Sequence, residues 1–450
     1  MSTNPSPRPT PPASEPPADP PLSRNRDFVL LWSGSALSIA GSTASTVAYP
    51  LLVLALTGSA ADAGLAGFTA LLPLLLLPVP AGALVDRWDR KRLMIWCDVI
   101  RGIGAASIVL ALALGALSLP QILAVGFVEG SLSVFYELAS YAAIPNLVPD
   151  GRLTEALSRG EARERGATTL GTPLGGLLFG LGRALPFVVD AVSYLVSVVT
   201  LLLIRKDFQA TPPATAPAAA AIGPADEPAE RQRLLPEMAA GFAWLWRDPF
   251  LRTAAVAVAG SNLLFRALFL VVLVLAKARG ASPGMIGIFL GVAGVGGLLG
   301  SLASSWCQRR LSMRVVVIGA NWAWALLTVG LAVSSSLYLM GALYALMWFV
   351  GPIWNVAVAT QQLRSTPDHL QGRVLGASGL LSGGALPLGS LAGGLLLQWY
   401  GTGTTMTVLA VWMVLLAGAV TLSRAVRRPP PRPDPDPAPA TRTPVDLPSG

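Results

Sequence analysis

The chain has 450 residues, of which 53% are hydrophobic and only 12% charged, with a net charge of +8; a soluble domain carries roughly 25% charged residues, so much of the polar surface that would keep it dissolved is missing. Lipid must cover the difference, and twelve spans of about 20 residues each leave room for loops and tails but for no soluble catalytic domain of ordinary size. One histidine and two cysteines cannot build the common zinc sites, and no lysine follows a glycine as a phosphate-cradling loop requires, so no metal, no cofactor, no ATP-driven step and no enzyme activity are expected.

Residues 1–26 form a proline-rich tail without the apolar run of a signal peptide, so the first hydrophobic segment should stay as a span. Long apolar runs follow at 28–56, 63–84, 93–117, 121–144, 166–184 and 186–204. After a second proline-rich stretch they resume at 251–275, 284–305, 314–334, 337–360, 374–398 and 403–423, and 424–450 is a third proline-rich stretch. Continuous rather than alternating apolarity predicts helices, not barrel strands. The expected organisation is thus a disordered tail (1–26), a six-helix bundle (27–204), a linker (205–246), a second six-helix bundle (247–423) and a disordered tail (424–450). Cys97 and Cys307 fall at span ends and are expected to pack rather than to form a disulfide.

Lysine and arginine orient these spans. With both termini cytoplasmic, 27 basic residues lie in inner segments and three, Arg183, Lys277 and Arg279, in outer loops, while Arg101 and Arg266 fall inside spans. The asymmetry predicts a multi-pass protein of the plasma (inner) membrane with both ends inside. It also gives the positive charge a partner in anionic lipid headgroups, with no need for nucleic acid.

The halves repeat each other in the same direction. Asp27-Phe28 recurs as Asp248-Pro249-Phe250, Pro149-Asp150-Gly151-Arg152 as Pro367-Asp368-His369 with Gly372-Arg373, and Pro173-Leu174-Gly175-Gly176 as Pro387-Leu388-Gly389. The fold class expected is an all-α polytopic membrane protein of twelve helices in two parallel six-helix repeats, the sequence form of a transporter.

Between spans two and three, Gly82, Asp86, Arg87, Arg90, Lys91 and Arg92 make a loop that resembles the signature of the major facilitator superfamily, with Asp89 where many members have glycine. Ile144-Pro145-Asn146-Leu147-Val148-Pro149, Val189-Asp190-Ala191, Glu237 to Gly241 and Trp246-Arg247-Asp248-Pro249 resemble the branch that contains enterobactin exporters and macrolide efflux pumps. The resemblance implies a monomeric exporter of a small organic molecule, drug or siderophore-like, driven by protons through alternating access. A facilitator or importer of the same fold, or a receptor or assembly protein that moves nothing, remains open. It also implies that Asp86 and Arg90 gate the cytoplasmic side by pairing and by accepting from a facing helix N-terminus. Gly171, Pro173, Gly175 and Gly176 resemble the antiporter motif, interrupted by Thr172; small residues allow close approach and proline a bend.

Ionisable residues inside spans are functional candidates by default. Glu129, Ser133, Tyr136 and Ser140 share one face of span four with Glu137 at its edge, a polar stripe predicted to face a central cavity. A carboxylate there could exchange protons with the cavity or meet substrate. Asp98 and Arg101 are spaced to pair along span three, and Asp190 to pair with Arg183. Arg266, with Asn262 one turn before it, should seek a carboxylate such as Glu129 or an anionic substrate. Trp348, Trp354 and Asn355 are candidates to line a cavity, and His369 is expected in a solvated loop.

Overall fold

The computed structural model describes residues 21–209, 239–367 and 370–427. The proline-rich tails, most of the linker including Glu237, and His369 lie outside the described residues.

Polar residues at the ends of apolar runs start the helices. Asn25 opens α1 (Arg26–Thr57) by accepting the Phe28 N–H at 3.1 Å, and its amide donates to the Leu147 carbonyl at 2.8 Å, tying the start of α1 to a later helix. Ser59 caps α2 (Ala60–Leu76) through the Asp62 N–H. Pro73 and Pro78 cannot donate to the ladder, and the chain bends by 55° at Leu77 into α3 (Pro78–Val85), so the second expected span is a bent pair. Asp89 caps α4 (Arg90–Ala113), accepting from the Arg92 N–H at 3.0 Å, which gives a local reason for an aspartate where glycine is common. The first bundle is completed by α5 (Leu119–Leu147), α6 (Leu153–Leu181) and α7 (Leu185–Leu203).

The second bundle starts as the first does. Asp248 accepts the Phe250 and Leu251 N–H groups at 2.8 and 2.9 Å, with Pro249 in the first turn of α8 (Pro249–Ala278). Serines 282, 312 and 336 cap α9 (Pro283–Arg310), α10 (Met313–Val333) and α11 (Leu337–Ser365). The last helical element, α12 (Gln371–Leu422), has 52 residues, about 78 Å at 1.5 Å per residue and far beyond one crossing. It divides at Gly401, whose φ of 71° and ψ of 178° suit glycine alone, and so supplies two spans.

Nine helices among the described residues are long and apolar enough to cross a membrane, and the bent α2–α3 pair makes a tenth. Dividing α12 adds one more. The remaining expected span is α6, whose charged first half keeps it out of the apolar count; the helix starts at Leu153, not at 166. Large apolar side chains such as Leu181, Leu302, Leu326 and Leu415 are exposed around the outside, a surface that only lipid could cover. Both cysteines are free and buried.

In the first bundle α1 packs on α6 and α7, and α4 on α5 and α7; in the second α8 packs on α12, and α9 on α11. The bundles meet along two seams, α2 with α12 and α6 with α9. In the first, Gly64 lies against Gly394 and the Ser390 carbonyl, and Ala60 N–H donates to Gln398 Oε1 at 3.2 Å. In the second, Gly287 and Gly291 lie against Gly176 and Pro173. Small residues on both sides let backbones touch. Every one of these contacts is on the face opposite the two ends of the described chain. Nearer the chain ends Gly384 still meets the Leu75 side chain of α2, whereas a side chain added at Gly376 or Gly379 of α12 would meet open space.

Candidate functional site

Between the bundles lies a cavity of about 590 Å³, within the size range of small-molecule sites. Its wall is built mainly by the first bundle, from α1, α2, α5 and α6, with Arg266 of α8 reaching in from the second. The polar stripe predicted on α5 faces it: Glu129, Ser133, Tyr136, Glu137 and Ser140 all line the cavity. Leu157, Gly160, Glu161 and Glu164 of α6 line its mouth on the face of the chain ends.

Glu129 is held from two helices at once. The Tyr49 hydroxyl of α1 donates to Oε2 at 2.9 Å and the Tyr194 hydroxyl of α7 to Oε1 at 2.7 Å. Behind Tyr194, the Arg101 guanidinium lies 4.4 Å from the ring centroid, and Arg101 Nη1 is 3.6 Å from Asp98 Oδ1. Asp98 is fully buried and Arg101 is 6% exposed, so the pair spaced along α4 is formed inside the bundle. The Tyr136 hydroxyl lies between Ser35 Oγ at 3.1 Å and Ser197 Oγ at 3.3 Å. Four helices, α1, α4, α5 and α7, are thereby joined through one buried polar cluster, in which each charge has a neighbour of opposite sign or a hydroxyl. Glu137, about two turns from Glu129 toward the mouth, lines the cavity and makes no ion pair among the described residues.

Asp190 is placed differently from its expected pairing with Arg183. It points inward from α7 and is fully buried, its Oδ2 accepting from Ser45 Oγ at 2.5 Å; Ser45 is one turn from Tyr49 on α1 and Asp190 one turn from Tyr194 on α7, so the two helices that hold Glu129 also set the Asp190 carboxyl beside it. No spacing along one helix could signal this, because the partners come from α1 and α5. Tyr49 and Tyr194 were equally invisible, since an aromatic residue in a span reads first as packing.

The second bundle contributes little charge. From Pro249 to Pro367 and from Leu370 to Arg427 there is no aspartate or glutamate. Arg266 therefore finds no carboxylate on its own side, and among the described residues it forms no ion pair with Glu129; its guanidinium stands 5.3 Å from the Phe269 ring centroid while lining the cavity. Asn262 does not join it. Its amide donates to the Ser382 carbonyl at 3.0 Å and binds α8 to α12. Trp354 is buried against Trp324, with ring centroids 5.8 Å apart, and neither it nor Trp348 or Asn355 lines the cavity.

The loop motif lies at the chain-end face of the first bundle. Arg90 Nη2 is 3.7 Å from Asp86 Oδ1, and Arg90 Nη1 donates to the Ala142 and Phe208 carbonyls at 2.9 and 3.3 Å. Lys91 Nζ donates to the Ile204 carbonyl at 2.6 Å, and Arg92 Nε is 3.4 Å from Asp89. Arg87 occupies the turn before α4, and Gly82 has open space beside it. The Asp86 carboxylate is 75% exposed, so in this conformation it reaches Arg90 and leaves no contact with the second bundle to close the mouth. Gly171 and Gly175 lie against Ala40 and Ala44 of α1, while Pro173 and Gly176 face α9, so the motif on α6 packs to both sides.

The pattern of the transmembrane secretion effector family matches residues 19–439. The multidrug efflux pump Tap of Mycolicibacterium fortuitum is 29% identical over 389 residues, covering 84% of this chain and 90% of that protein. Among solved structures, the nucleoside transporter NupG superposes with a TM-score of 0.68 at 13% identity, covering 87% of this chain and 98% of that one. A bacterial homologue of the lysosomal transporter Spinster, inward-facing and unoccupied, gives 0.65 at 15%, covering 90% and 98%. Such low identities show a common fold and nothing about cargo. Fold, helix seams and sequence pattern agree: the chain belongs to the transmembrane secretion effector family, in the efflux branch of the major facilitator superfamily of membrane transporters.

Proposed function

We propose that this transporter exports a small drug-like organic molecule across the plasma (inner) membrane in exchange for protons, working as a single chain with both termini in the cytoplasm. The observation that carries the reading is Glu129: a carboxylate in the wall of a cavity between two bundles, gripped by two tyrosine hydroxyls and reachable from the cavity. A group so placed can hold a proton in one conformation and lose it in another, because the rocking of the bundles changes which side wets it. In the conformation described, the seams close the face opposite the chain ends and the mouth opens at the chain ends, which under this topology is the cytoplasm. Cargo enters there and meets Glu137 and the apolar wall. When the bundles rock, the α2–α12 and α6–α9 seams part, and Asp86 with Arg90 comes to the closing side. The names of the relatives point to drugs rather than siderophores as cargo.

Inverted membrane vesicles test this. With an acidic interior, vesicles that contain the protein should accumulate a fluorescent drug-like dye beyond those that lack it. Faster equilibration to the same level with and without the pH gradient would make the protein a facilitator and end the antiport reading.

A further inference from the structure

We propose that Asp190 is the second half of the proton site: its carboxyl and that of Glu129 share one proton, and the pair rather than Glu129 alone is the carrier. The inference rests on the proton-exchange reading above and adds a residue to it.

The geometry leaves few alternatives. Asp190 is fully buried, and Ser45 supplies a donor to Oδ2 at 2.5 Å, but Oδ1 meets no donor among the described residues. A buried acceptor without a partner costs about 1–3 kcal/mol or more when charged. The ionisable group set beside it is the Glu129 carboxyl, itself an acceptor: Ser45 and Tyr49, one turn apart on α1, hold Asp190 and Glu129 respectively, and Tyr194, one turn after Asp190 on α7, holds Glu129 as well. Two ionised carboxylates set side by side would repel each other in an apolar interior. One proton removes both difficulties, since it turns Asp190 into a donor and Glu129 into its acceptor. Both Glu129 oxygens already receive a hydroxyl, an arrangement fit for an ionised carboxylate, so the hydrogen is carried by Asp190.

The surrounding charges agree. Facing the pair are Ser45 and Tyr49 from α1, Asp98 and Arg101 from α4, Tyr136 from α5 itself and Tyr194 from α7, with Glu137, Arg163 and Arg266 across the cavity. Within the cluster three carboxyls, Asp98, Glu129 and Asp190, surround one guanidinium, that of Arg101, which is already committed to Asp98 at 3.6 Å. The excess of carboxyls makes the site one that binds protons. Glu129 lines the cavity and Asp190 does not, so the two differ in access. Release runs in order: the O–H bond on Asp190 breaks as one forms on Glu129, and cavity water then takes the proton from Glu129.

Infrared difference spectroscopy on the purified full-length protein in lipid nanodiscs, without cargo, reads this directly through the carboxyl C=O stretch. Glu129→Gln identifies the Glu129 band. In Asp190→Asn, whose amide can still accept from Ser45 and donate to Glu129, the Glu129 band should titrate with its midpoint moved by about one pH unit or more, the mark of strongly interacting sites. Ser45→Ala keeps both carboxyls and should move the midpoint too, which covers the case in which Asp190→Asn fails to fold. A Glu129 midpoint unchanged in either folded variant overturns the pair. The two readings separate cleanly: independent titration with pH-driven efflux intact removes the pair and keeps antiport, whereas coupled titration without pH-driven efflux keeps the pair and removes antiport.

Discussion

The α2–α12 seam predicts the effect of one methyl group. At Gly64 an added Cβ would lie 2.7 Å from the Ser390 carbonyl oxygen and 2.8 Å from Gly394 Cα, while ordinary contact begins at 3.4 Å. Both obstacles are backbone, so no rotamer change relieves them and the helices must separate. Overpacking of this kind costs about 1–3 kcal/mol, and the cost falls only on the conformation in which the seam is closed. Gly64→Ala should therefore shift the balance toward the state open at that face by roughly 5- to 150-fold. Spin labels on Thr57→Cys and Thr404→Cys, two exposed positions at the seam's end of the molecule, would report it as a longer distance population growing at the expense of the short one. Cys97 and Cys307 are buried and can be exchanged for serine beforehand. An unchanged distance distribution in a folded Gly64→Ala protein would refute the claim that this seam holds that face shut.

Other substitutions test the remaining contacts. Arg101→Ala strands the fully buried Asp98 carboxylate, and breaking a buried pair from one side costs about 3–5 kcal/mol; a lowered melting temperature in detergent is expected, with part of the loss recovered by removing the other charge in Asp98→Asn/Arg101→Ala. Asp89→Ala removes the cap of α4 and should cost about 1 kcal/mol, whereas Asp89→Gly should cost only a few tenths, so the glycine variant should melt above the alanine one. Gly401→Ala forces a side chain onto a φ of 71° with a ψ of 178° and should destabilise by about 1–3 kcal/mol, read by the same melt.

Much of this architecture could be read from apolar runs alone, because a lipid-covered helix announces itself by length. The stripe on α5 was legible for a similar reason: Glu129 to Ser140 obeys the helical period, and one polar face on an apolar helix has to meet water or protein. Contacts between helices were not legible. Asp190 looked like a partner for Arg183 because spacing along one helix is all that periodicity can offer, while its real neighbours, Ser45 and Glu129, are 145 and 61 residues away. Arg266 looked as if it needed a carboxylate, yet the aromatic face of Phe269 and the open cavity serve instead. The fifth apolar run was read from 166, whereas α6 starts at Leu153, and Glu161, Arg163 and Glu164 of that added first half line the cavity. Trp354 was a candidate to line a cavity and instead fills the core of the second bundle beside Trp324.

The central claim is that protons drive export through Glu129. Proteoliposomes carrying wild-type protein or Glu129→Gln, loaded with a fluorescent dye for counterflow or given a pH gradient for net transport, test it most directly. The account predicts that Glu129→Gln keeps counterflow, which needs no net proton movement, and loses accumulation driven by the gradient down to the level of protein-free vesicles. Gradient-driven accumulation by Glu129→Gln equal to that of the wild type would contradict it.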